Sequence, residues 1–431
     1  MDIYRHCVYL DYNATTPIWP EVMEAMKPFS LTCFGNPSSP HIYAAPCKNA
    51  VNTARNHISN LINSPDPSCI VVTSCGSESD NRAIDIALYN YSLRSTNNSE
   101  LPHIITCSIE HPAVLEYLNY LKNEGKISLS VVGVSVDGIV SPDDIRSALQ
   151  PNTALVTVMH SNNEVGTVQP INAIATLIRE FNEANCTAVL FHSDAAQSMG
   201  KIPVDVQRDG TDMLTIVGHK FGAPKGIAAL YLRPGVNVRP LLFGGGQEGG
   251  RRAGTENVML MAGLGEAARI AQAEWRGTIA HMLTLRMRLI RILQEELGGL
   301  ESGKFLRFNG PVEAYQLNYI ATVLHEVVCG TRTENIFPVL PNTVNVSFRG
   351  VRAAKLMPTL IDKVACSAGT TCHAVHSSDA VSAVLCAMQL PREYGIGTLR
   401  LSFGRHTTED EVVRAGYIIA RSVKVLSIKK D

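Results

Sequence analysis

Short apolar runs alternate with longer segments of helical periodicity as far as about residue 265, and this alternation constrains the fold more than any other feature. Runs that are continuously apolar are typical of strands covered on both faces. Between these runs, the segment Ile171–Ala184 has the apolar spacing of an amphipathic helix. Strands that alternate with helices favour an α/β fold with a mostly parallel sheet. The six predicted strands are Cys69–Thr73, Ile104–Thr106, Ala154–Val158, Ala188–Phe191, Met213–Ile216 and Ile227–Tyr231.

The chain changes character beyond this region, and its 431 residues exceed what one hydrophobic core usually supports. A long helical pattern extends from about Leu264 to Leu297 and ends at two glycines, which are typical of a helix C-terminus. The segment Asn342–Phe348 then alternates with period 2, which predicts a half-exposed antiparallel strand. We therefore expect a large α/β domain over residues 1–265 and a smaller α+β domain over residues 266–431. Roughly the first 15 residues are candidates for packing on the smaller domain.

Charge and composition exclude several classes of protein. The formal net charge is −1 and no basic block stands out, so we expect no nucleic-acid partner. No uninterrupted apolar stretch is long enough for a transmembrane helix, and the N-terminus lacks the features of a secretory signal or transit peptide. Eleven scattered cysteines without a C-x-x-C pair predict thiols in a reducing compartment, and no metal site. We therefore expect a cytoplasmic protein with no membrane partner.

Polar residues directly after the apolar runs are the best candidates for a site, because ligands bind beyond the carboxyl ends of the strands in a parallel α/β sheet. Lys220 is the most suggestive, since desolvation lowers the pKa of a lysine and frees its amine for Schiff-base chemistry. Each segment also has a purely structural interpretation, such as a capped helix start, a turn, an N-cap at Asp194 or a surface lysine. The segments are Thr73–Asn81, Glu110–Pro112, His160–Gly166, His192–Gln197 and Gly218–Gly226.

Two loops complete the set of candidates. The glycine-rich segment Phe243–Asn257 lacks the context of a dinucleotide site and the signature of a P-loop. The segment Ala365–His373 is rich in small residues and contains two cysteines. A buried structural thiol fits Cys366 better than Cys372, so Cys372 is the candidate for an exposed and reactive thiol.

A strand-end lysine, a strand-end aspartate, a small-residue helix start and a histidine match what pyridoxal phosphate requires of a protein. The motifs resemble those of class V aminotransferase-fold enzymes, specifically the cysteine desulfurase and selenocysteine lyase family, over essentially the whole chain. This resemblance implies PLP-dependent transferase fold type I, with a mostly parallel seven-stranded sheet and a smaller C-terminal α+β domain that carries the cysteine loop. The segments that match are Tyr9–Pro17, Gly35–Ser39, Glu110–His111, Asn162–Gly166, Asp194–Gln197, Gly218–Lys220, Arg252–Asn257 and Leu399–Arg405.

The resemblance implies a role for each matching residue around the cofactor ring. Lys220 would form the Schiff base and later move a proton between the substrate Cα and the cofactor. Asp194 would pair with the ring nitrogen, and His111 would stack on the ring and act as an acid–base group. Gln197 would bond the phenolic oxygen, and Asn163 would lie near both that oxygen and the substrate.

The remaining implied roles concern the phosphate, the substrate and the sulfur or selenium atom. The phosphate would be held by Gly76, Ser77 and His219, with Thr255 reaching it from the partner subunit of a homodimer. The substrate carboxylate would be clamped by Arg400 with help from Asn13. Cys372 would attack the sulfur or selenium of the bound amino acid. The products would be L-alanine and a persulfide, or selenium released for reduction.

Two departures from the desulfurase pattern bear on the subfamily. Val217 stands where desulfurases usually have a serine that bonds the phosphate. The segment Gly369–His373, followed by His376 and Asp379, also resembles the selenocysteine lyase loop. We therefore favour a selenocysteine lyase that acts on a small amino acid, with a sulfur or selenium acceptor protein as a further partner. The alternatives are a cysteine desulfurase that forms a Cys372 persulfide, another class V aminotransferase or β-lyase, and a non-catalytic delivery protein.

Overall fold

The fold contains a seven-stranded, a four-stranded and a two-stranded β-sheet, seen in a computed structural model that describes residues 6–94, 100–300, 304–329, 337–369 and 380–428. The strands are β1 (Val8–Tyr9), β2 (Ile70–Thr73), β3 (His103–Cys107), β4 (Ser128–Val132), β5 (Thr153–Thr157), β6 (Leu190–Asp194), β7 (Met213–Val217), β8 (Ala228–Leu232), β9 (Leu306–Phe308), β10 (Thr343–Phe348), β11 (Val364–Ala365), β12 (Ser367–Ala368) and β13 (Thr398–Ser402). The helices are α1 (Pro20–Leu31), α2 (Ala44–Leu61), α3 (Gly76–Arg94), α4 (Pro112–Asn123), α5 (Pro142–Ala148), α6 (Ile171–Asn185), α7 (Val206–Asp209), α8 (Val258–Leu297), α9 (Leu317–Cys329), α10 (Ala353–Leu360), α11 (Ala383–Ala387), α12 (Arg392–Gly395) and α13 (Glu409–Ile428).

The larger sheet has seven strands in the order β2-β8-β7-β6-β5-β3-β4. Only β8 runs antiparallel to its neighbours, which confirms the prediction of a mostly parallel seven-stranded sheet. The six predicted strands correspond to β2, β3 and β5 to β8. The seventh strand, β4, was missed because it lies at the sheet edge, where only Val132 is buried and Val131 is 52% exposed.

Helices cover both faces of this sheet, which explains why its central strands are continuously apolar. On one face, apolar residues of α3 and α4 pack against alternate residues of the strands, among them Val71 and Ile104. On the other face, α2, α6 and the first part of α8 pack against residues such as Ile70 and Ile105. Because both faces of the sheet are buried, the parallel strands can contribute residues to a ligand site only at their ends.

The smaller sheet has four antiparallel strands in the order β12-β13-β10-β9, and the N-terminal strand β1 pairs in parallel with β11 beside it. The expectation of a half-exposed strand at Asn342–Phe348 is wrong, because all six residues of β10 are buried. Its polar side chains meet protein instead of water. Asn345 donates from Nδ2 to the Glu164 carbonyl at 3.1 Å, and the Ser347 hydroxyl accepts from Asn309 at 2.7 Å.

Helix α8 connects the two hydrophobic cores. Its 40 residues begin after Asn257, whose side chain accepts a hydrogen bond from the Leu260 amide. Residues from Met261 to Ala271 belong to the core of the larger sheet, and residues from Ile279 to Leu297 belong to the core of the smaller one. The predicted boundary at residues 265 and 266 falls inside this helix, so the division into two domains stays a prediction. None of the helices in the described ranges is both long and apolar enough to cross a membrane.

Candidate active site

A cavity of about 480 Å³ opens where the carboxyl ends of the parallel strands meet the edge of the smaller sheet. This size is typical of small-molecule and cofactor sites. Ten of the twelve residues predicted from the sequence line it. They are Asn13, Gly76, Ser77, His111, Asn163, Asp194, Gln197, His219, Lys220 and Arg400.

Lys220 reaches this cavity from a single 3₁₀ turn that directly follows β7. Its Nζ donates to the carbonyl oxygens of Asn13 at 2.8 Å and Ala14 at 2.9 Å. The pKa of Lys220 is lowered to about 8, mainly by burial and then by the Arg400 charge, while the carboxylates of Asp194 and Asp11 oppose both effects. The amine is therefore available in its uncharged form near neutral pH, as Schiff-base chemistry requires.

Asp194 is the last residue of β6, and it is 6% exposed. Its Oδ1 accepts a hydrogen bond from the Ala196 amide at 2.9 Å. The residues that follow form turns, so the interpretation of Asp194 as the N-cap of a helix is wrong. Burial raises the pKa of Asp194, while the Ala196 hydrogen bond and the nearby His111 and Lys220 lower it. A buried carboxylate facing a cavity is well suited to a cationic ligand atom.

Two further buried carboxyl groups interact with the charge of Asp194, Asp80 in the cavity lining and Glu110 outside it, and the sequence interpretation did not assign them roles. Burial, followed by the charge of Asp194, raises the pKa of Asp80 well above its usual value. Burial raises the pKa of Glu110 to about 8. The Oε1 atom of Glu110 accepts from the Met159 amide at 2.6 Å and from the Cys107 thiol at 3.1 Å. Asp80 Oδ1 and Glu110 Oε2 have no hydrogen-bond partner among the described residues.

Like charges in a buried cluster raise one another's pKa, so the three carboxyls cannot easily all be charged. Asp194 is the one best placed to carry the negative charge, because the nearby His111 and Lys220 lower its pKa. His192, 3.8 Å from Asp80, does not supply a compensating charge, since burial lowers its pKa to about 3. The sequence did contain a signal for both Asp80 and Glu110. Asp80 lies one helical turn beyond Gly76, and Glu110 directly precedes His111.

The N-terminus of α3 forms one end of the cavity. Gly76 and Ser77 begin this helix, whose first backbone N–H groups have no partner within it and suit an anion. A Cβ atom at Gly76 would lie 2.7 Å from Val217 Cγ2, so the Val217 side chain packs directly against the bare glycine. His219 contacts the Thr15 hydroxyl through Nδ1 at 3.1 Å. Burial lowers the pKa of His219 to about 4, so its ring is neutral at pH 7.

His111 stands at the start of α4, where its Nδ1 accepts a hydrogen bond from the Ala113 amide at 3.1 Å. This bond makes Nδ1 the acceptor and leaves the proton of the neutral ring on Nε2. Surrounding protein lowers the pKa of His111 by desolvation, Lys220 acts in the same direction and Asp194 opposes it. The ring is nevertheless exposed along one side, because it faces the open cavity. A neutral ring in this position can stack on a flat ligand.

The opposite wall of the cavity comes from the smaller sheet and the N-terminal segment. Arg400, on β13, donates from Nη1 to the Asn163 carbonyl at 2.9 Å. Its Nη2 donates to Asp11 Oδ1 at 2.7 Å and to the Ser367 hydroxyl at 2.8 Å. Ser367 in turn donates to Asp11 at 2.8 Å. Arg400 Nε is buried and has no hydrogen-bond partner in the described part of the chain.

Asp11 and Ser367 were not predicted as site residues. Asp11 lies within the matching segment Tyr9–Pro17, and Ser367 stands directly opposite Arg400 in the register of β12 and β13. Both signals become visible only when the pairing of the smaller sheet is known.

Asn13 is a hydrogen-bonding centre beneath this wall and is only 1% exposed. Its Nδ2 donates to the Thr343 hydroxyl at 2.9 Å and to the Asn163 carbonyl at 3.3 Å. Its Oδ1 accepts from Asn342 at 3.0 Å and from Lys201 at 3.4 Å. Because both N–H donors are engaged, the expected contact of Asn13 with a substrate carboxylate stays a prediction.

Two predicted residues are not in the cavity of the described structure. Thr255 is exposed in the loop before α8 and does not line the cavity, and its predicted role belongs to a partner subunit. Cys372 lies outside the described residues, as do His373, His376 and Asp379. Cys366 is buried, and burial raises the pKa of its thiol to about 12, as suits a structural thiol.

Comparison with known proteins identifies the class to which this site belongs. Residues 8–336 match the aminotransferase class-V family. The chain belongs to this family, whose members depend on pyridoxal phosphate, and it is an enzyme of PLP-dependent fold type I.

Within that family, several similar proteins are named cysteine desulfurases. The chain is 39% identical to a cysteine desulfurase of Trichormus azollae, over 97% of this chain and 93% of that protein. It is 36% identical to the cysteine desulfurase IscS of Dictyoglomus turgidum, over 97% of this chain and 95% of that protein. The solved structure of a NifS-like protein superimposes with a TM-score of 0.81 at 31% identity, over 98% of this chain and 100% of the other.

Proposed function

We propose that this enzyme is a cysteine desulfurase, which converts L-cysteine into L-alanine and passes the sulfur atom to a thiol. The observation that carries the proposal is the convergence of Lys220, Asp194 and Arg400 on one cavity. The cysteine desulfurases to which the chain is similar over nearly its whole length support it. They favour this function over the selenocysteine lyase that the sequence motifs favoured.

The residues of the larger sheet fit pyridoxal phosphate. Asp194 provides a buried carboxylate for a protonated ring nitrogen, and its two neighbouring carboxyls hold atoms without hydrogen-bond partners. The first turn of α3, with Gly76 and Ser77, offers backbone N–H groups to the phosphate, and His219 lies beside it. In this proposal His111 stacks on the ring, and Thr255 of a second subunit completes the phosphate site.

Lys220 is the residue that handles protons. With a pKa of about 8, about one in ten Lys220 side chains is uncharged at pH 7. The bound cofactor supplies an electron sink that stabilises negative charge on the Cα atom of the amino acid. Lys220 removes the proton from Cα and returns one when alanine is made, while Asp194 keeps the ring nitrogen in its charged form.

Arg400 is the residue that holds the substrate carboxylate. Its Nη2 is already fixed by Asp11 and Ser367, so the guanidinium plane has a defined orientation. Arg400 lines the cavity, and its Nη1 makes a single hydrogen bond among the described residues, to the Asn163 carbonyl, so this end of the guanidinium can bind a carboxylate. A planar donor fixed in this way recognises a carboxylate with little loss of conformational freedom on binding. In this proposal Asn163 lies between the substrate and the cofactor.

The sulfur-transfer step is assigned to Cys372 from the sequence. Its thiolate attacks the sulfur of the bound cysteine, the C–S bond breaks and an S–S bond forms. Overall, L-cysteine and the Cys372 thiol give L-alanine and a Cys372 persulfide, so atoms and electrons balance without an external oxidant. An acceptor protein then takes the sulfur.

Exposed apolar side chains support the homodimer in this proposal. Phe34 stacks on Tyr43 at a ring distance of 5.7 Å, yet the two are 74% and 62% exposed, and Ile42 beside them is 83% exposed. Leu242 and Phe243, in the loop that leads toward Thr255, are 44% and 79% exposed. Clusters of large exposed apolar residues are typical of protein interfaces. The dimer and the cytoplasmic location both stay predictions.

The test measures alanine formation from L-cysteine and from L-selenocysteine side by side, in wild type, Lys220→Ala and Cys372→Ala. We expect Lys220→Ala to lose the visible absorption of the bound cofactor and all alanine formation. We expect Cys372→Ala to keep the absorption and lose turnover of L-cysteine. Transfer of the amino group to a keto acid would instead indicate a transaminase, and full turnover of L-cysteine by Cys372→Ala would exclude this cysteine as the nucleophile.

Selenocysteine lyase is the second candidate, and Val217 is the observation that favours it. This side chain fills the space beside Gly76 where a hydroxyl would contact the phosphate. A strong preference for L-selenocysteine, with L-cysteine bound but not turned over, would establish the lyase and contradict the desulfurase.

A further inference from the structure

A second buried lysine lies beside the site, and no role assigned above uses it. Lys201 follows the turns after β6 and is 5% exposed. Its Nζ lies 2.9 Å from Gln197 Oε1 and 3.4 Å from Asn13 Oδ1. The structure shows no salt bridge from Lys201 to any carboxylate within the described ranges, and Lys201 does not line the cavity. A buried lysine that contacts only amide oxygens requires an explanation, because lysine is seldom buried without an anionic partner.

Both contacts of Lys201 are to the oxygen ends of side-chain amides. The Asn13 amide is also oriented by Asn342 and Asn163, so Gln197 is the amide that depends more on Lys201. A side-chain amide presents an acceptor at one end and two donors at the other, and the hydrogen-bond network decides which end faces which way. Because Lys201 offers N–H donors, the ends of Gln197 and Asn13 that face it are their oxygens. Their NH₂ groups therefore point away from Lys201.

The NH₂ group of Gln197 points toward the residues that act on the cofactor. Its Nε2 donates to the backbone carbonyl of Asn13 at 3.0 Å, and that same backbone oxygen accepts from Lys220 Nζ at 2.8 Å. Gln197 also lines the cavity, where its second N–H is available. A chain of hydrogen bonds thus runs from Lys201 through Gln197 and Asn13 to Lys220.

We propose that Lys201 is a positioning residue, which fixes the amide orientation of Gln197. It thereby presents one Gln197 N–H to the ring oxygen of the cofactor and keeps the other on the backbone carbonyl of Asn13, which also accepts from Lys220. The inference rests on the proposed function, in which Gln197 contacts the cofactor. Lys201 acts through Gln197 and touches neither substrate nor cofactor.

The protonation state of Lys201 is compatible with this arrangement. Burial lowers the pKa of Lys201 well below its usual value, and the charges of Lys220 and Arg400 act in the same direction. A neutral amine has two N–H donors, which match the two amide oxygens that it contacts. The network can therefore be satisfied without a buried charge, which would cost several kcal/mol if unpaired.

Lys201→Met is the variant that tests the proposal, because methionine keeps most of the apolar stem and removes both donors. Lys122→Met, which replaces an exposed lysine on α4, is the matched control. Both are compared with wild type as reconstituted holoenzymes. The measurements are the affinity for pyridoxal phosphate, the visible absorption of the bound cofactor as a function of pH, and the thermal unfolding midpoint.

We expect Lys201→Met to weaken cofactor binding by about 2- to 10-fold, the equivalent of one lost hydrogen bond. We also expect it to shift the pH midpoint of the cofactor absorption by roughly half a unit to one unit. Lys122→Met should match wild type in both. In a Gln197→Leu background, Lys201→Met should add little to either change, because its effect passes through Gln197.

Two results would overturn the proposal. One is a Lys201→Met enzyme whose cofactor affinity and absorption match wild type, even if its unfolding midpoint falls. The other is full additivity with Gln197→Leu. Where Lys201→Met does not fold, Lys201→Gln retains an N–H donor and should keep the wild-type absorption. Alanine formation by wild type and Lys122→Met tests the proposed function separately. An error in the role of Lys201 is therefore distinguishable from an error in the proposed desulfurase function.

Discussion

The two walls of the cavity are built on different physical principles. The large-sheet wall comes from the strand ends of the seven-stranded sheet, and its titratable groups have pKa values displaced by burial. The small-sheet wall comes from the N-terminal segment and β12 and β13, and its members bond to one another at 2.7–2.8 Å. The large-sheet wall consists of Asp80, His111, Asp194 and Lys220, and the buried Glu110 lies outside the cavity lining but close enough to interact with the charge of Asp194. The small-sheet wall consists of Asp11, Ser367 and Arg400.

In the proposed function, this difference matches two different tasks, with Asp194 facing the cofactor and Arg400 facing the substrate. A group that stays bound to a cofactor can be buried without a full set of partners, because the cofactor supplies them and their charge. A group that must recognise each arriving substrate has no such permanent partner, so the protein itself must orient it. Arg400 is oriented by Asp11 and Ser367, whereas the Asp194 carboxylate accepts one hydrogen bond among the described residues, from the Ala196 amide.

The largest effect is expected from removing the one charge on which the large-sheet wall depends. Asp194→Asn keeps the shape of the side chain and removes the anion, so we expect kcat to fall by about 10²–10³-fold. Asp80→Asn is the comparison, since burial raises the pKa of Asp80 well above its usual value and favours its neutral form, so its replacement should cost far less. Steady-state alanine formation measures both. Equal losses in the two variants would show that the charge is shared across the cluster.

The next effect is expected from Glu110, and it appears in stability rather than in rate. The folded state raises the pKa of Glu110 from 4.5 to about 8, so the unfolded chain loses this proton first as the pH rises. Stability therefore decreases between about pH 4.5 and 8, by up to roughly 1.4 kcal/mol per pH unit, and no further above that range. Glu110→Gln is neutral in both states and should remove this part of the decrease.

Thermal unfolding midpoints at several pH values between 5 and 8.5 check this expectation. The exposed Glu116→Gln, on the neighbouring helix α4, is the control and should retain the wild-type pH dependence. An unchanged slope in Glu110→Gln would mean that Glu110 is ionised in the folded protein, and the contrast between the walls would then not hold for this residue.

The large-sheet wall could be predicted from the sequence because its positions follow from local signals. Continuous apolar runs mark the strands, and each polar residue of interest comes directly after one of them. Asp194 and Lys220 were found in this way. The edge strand β4 was missed, since a half-exposed strand has no continuous apolar run.

The small-sheet wall could not be predicted because its contacts join distant parts of the chain. Arg400 and Asp11 are 389 positions apart, and Ser367 reaches both only through the pairing of β12 with β13. Lys201 likewise gave no signal, since a lysine in a turn is usually exposed. Polar residues of β10 were expected to face water, and their burial against other polar groups requires knowledge of the tertiary packing.

The smallest of these effects is expected from Arg400→Lys, which distinguishes the two walls most directly. A lysine keeps the positive charge but cannot donate to Asp11, Ser367 and a substrate carboxylate from one rigid plane. We expect kcat/KM for L-cysteine to fall by about 10- to 100-fold, mainly through KM, as for the loss of a hydrogen bond to a charged group. The visible absorption of the bound cofactor should be retained. Arg405→Lys, which replaces an arginine that pairs with Glu21 and Glu274 away from the cavity, should stay within about 2-fold of wild type. Loss of the cofactor absorption in Arg400→Lys would place Arg400 among the groups that hold the cofactor. The assignment of the cofactor to the large-sheet wall and of the substrate to the small-sheet wall would then be wrong.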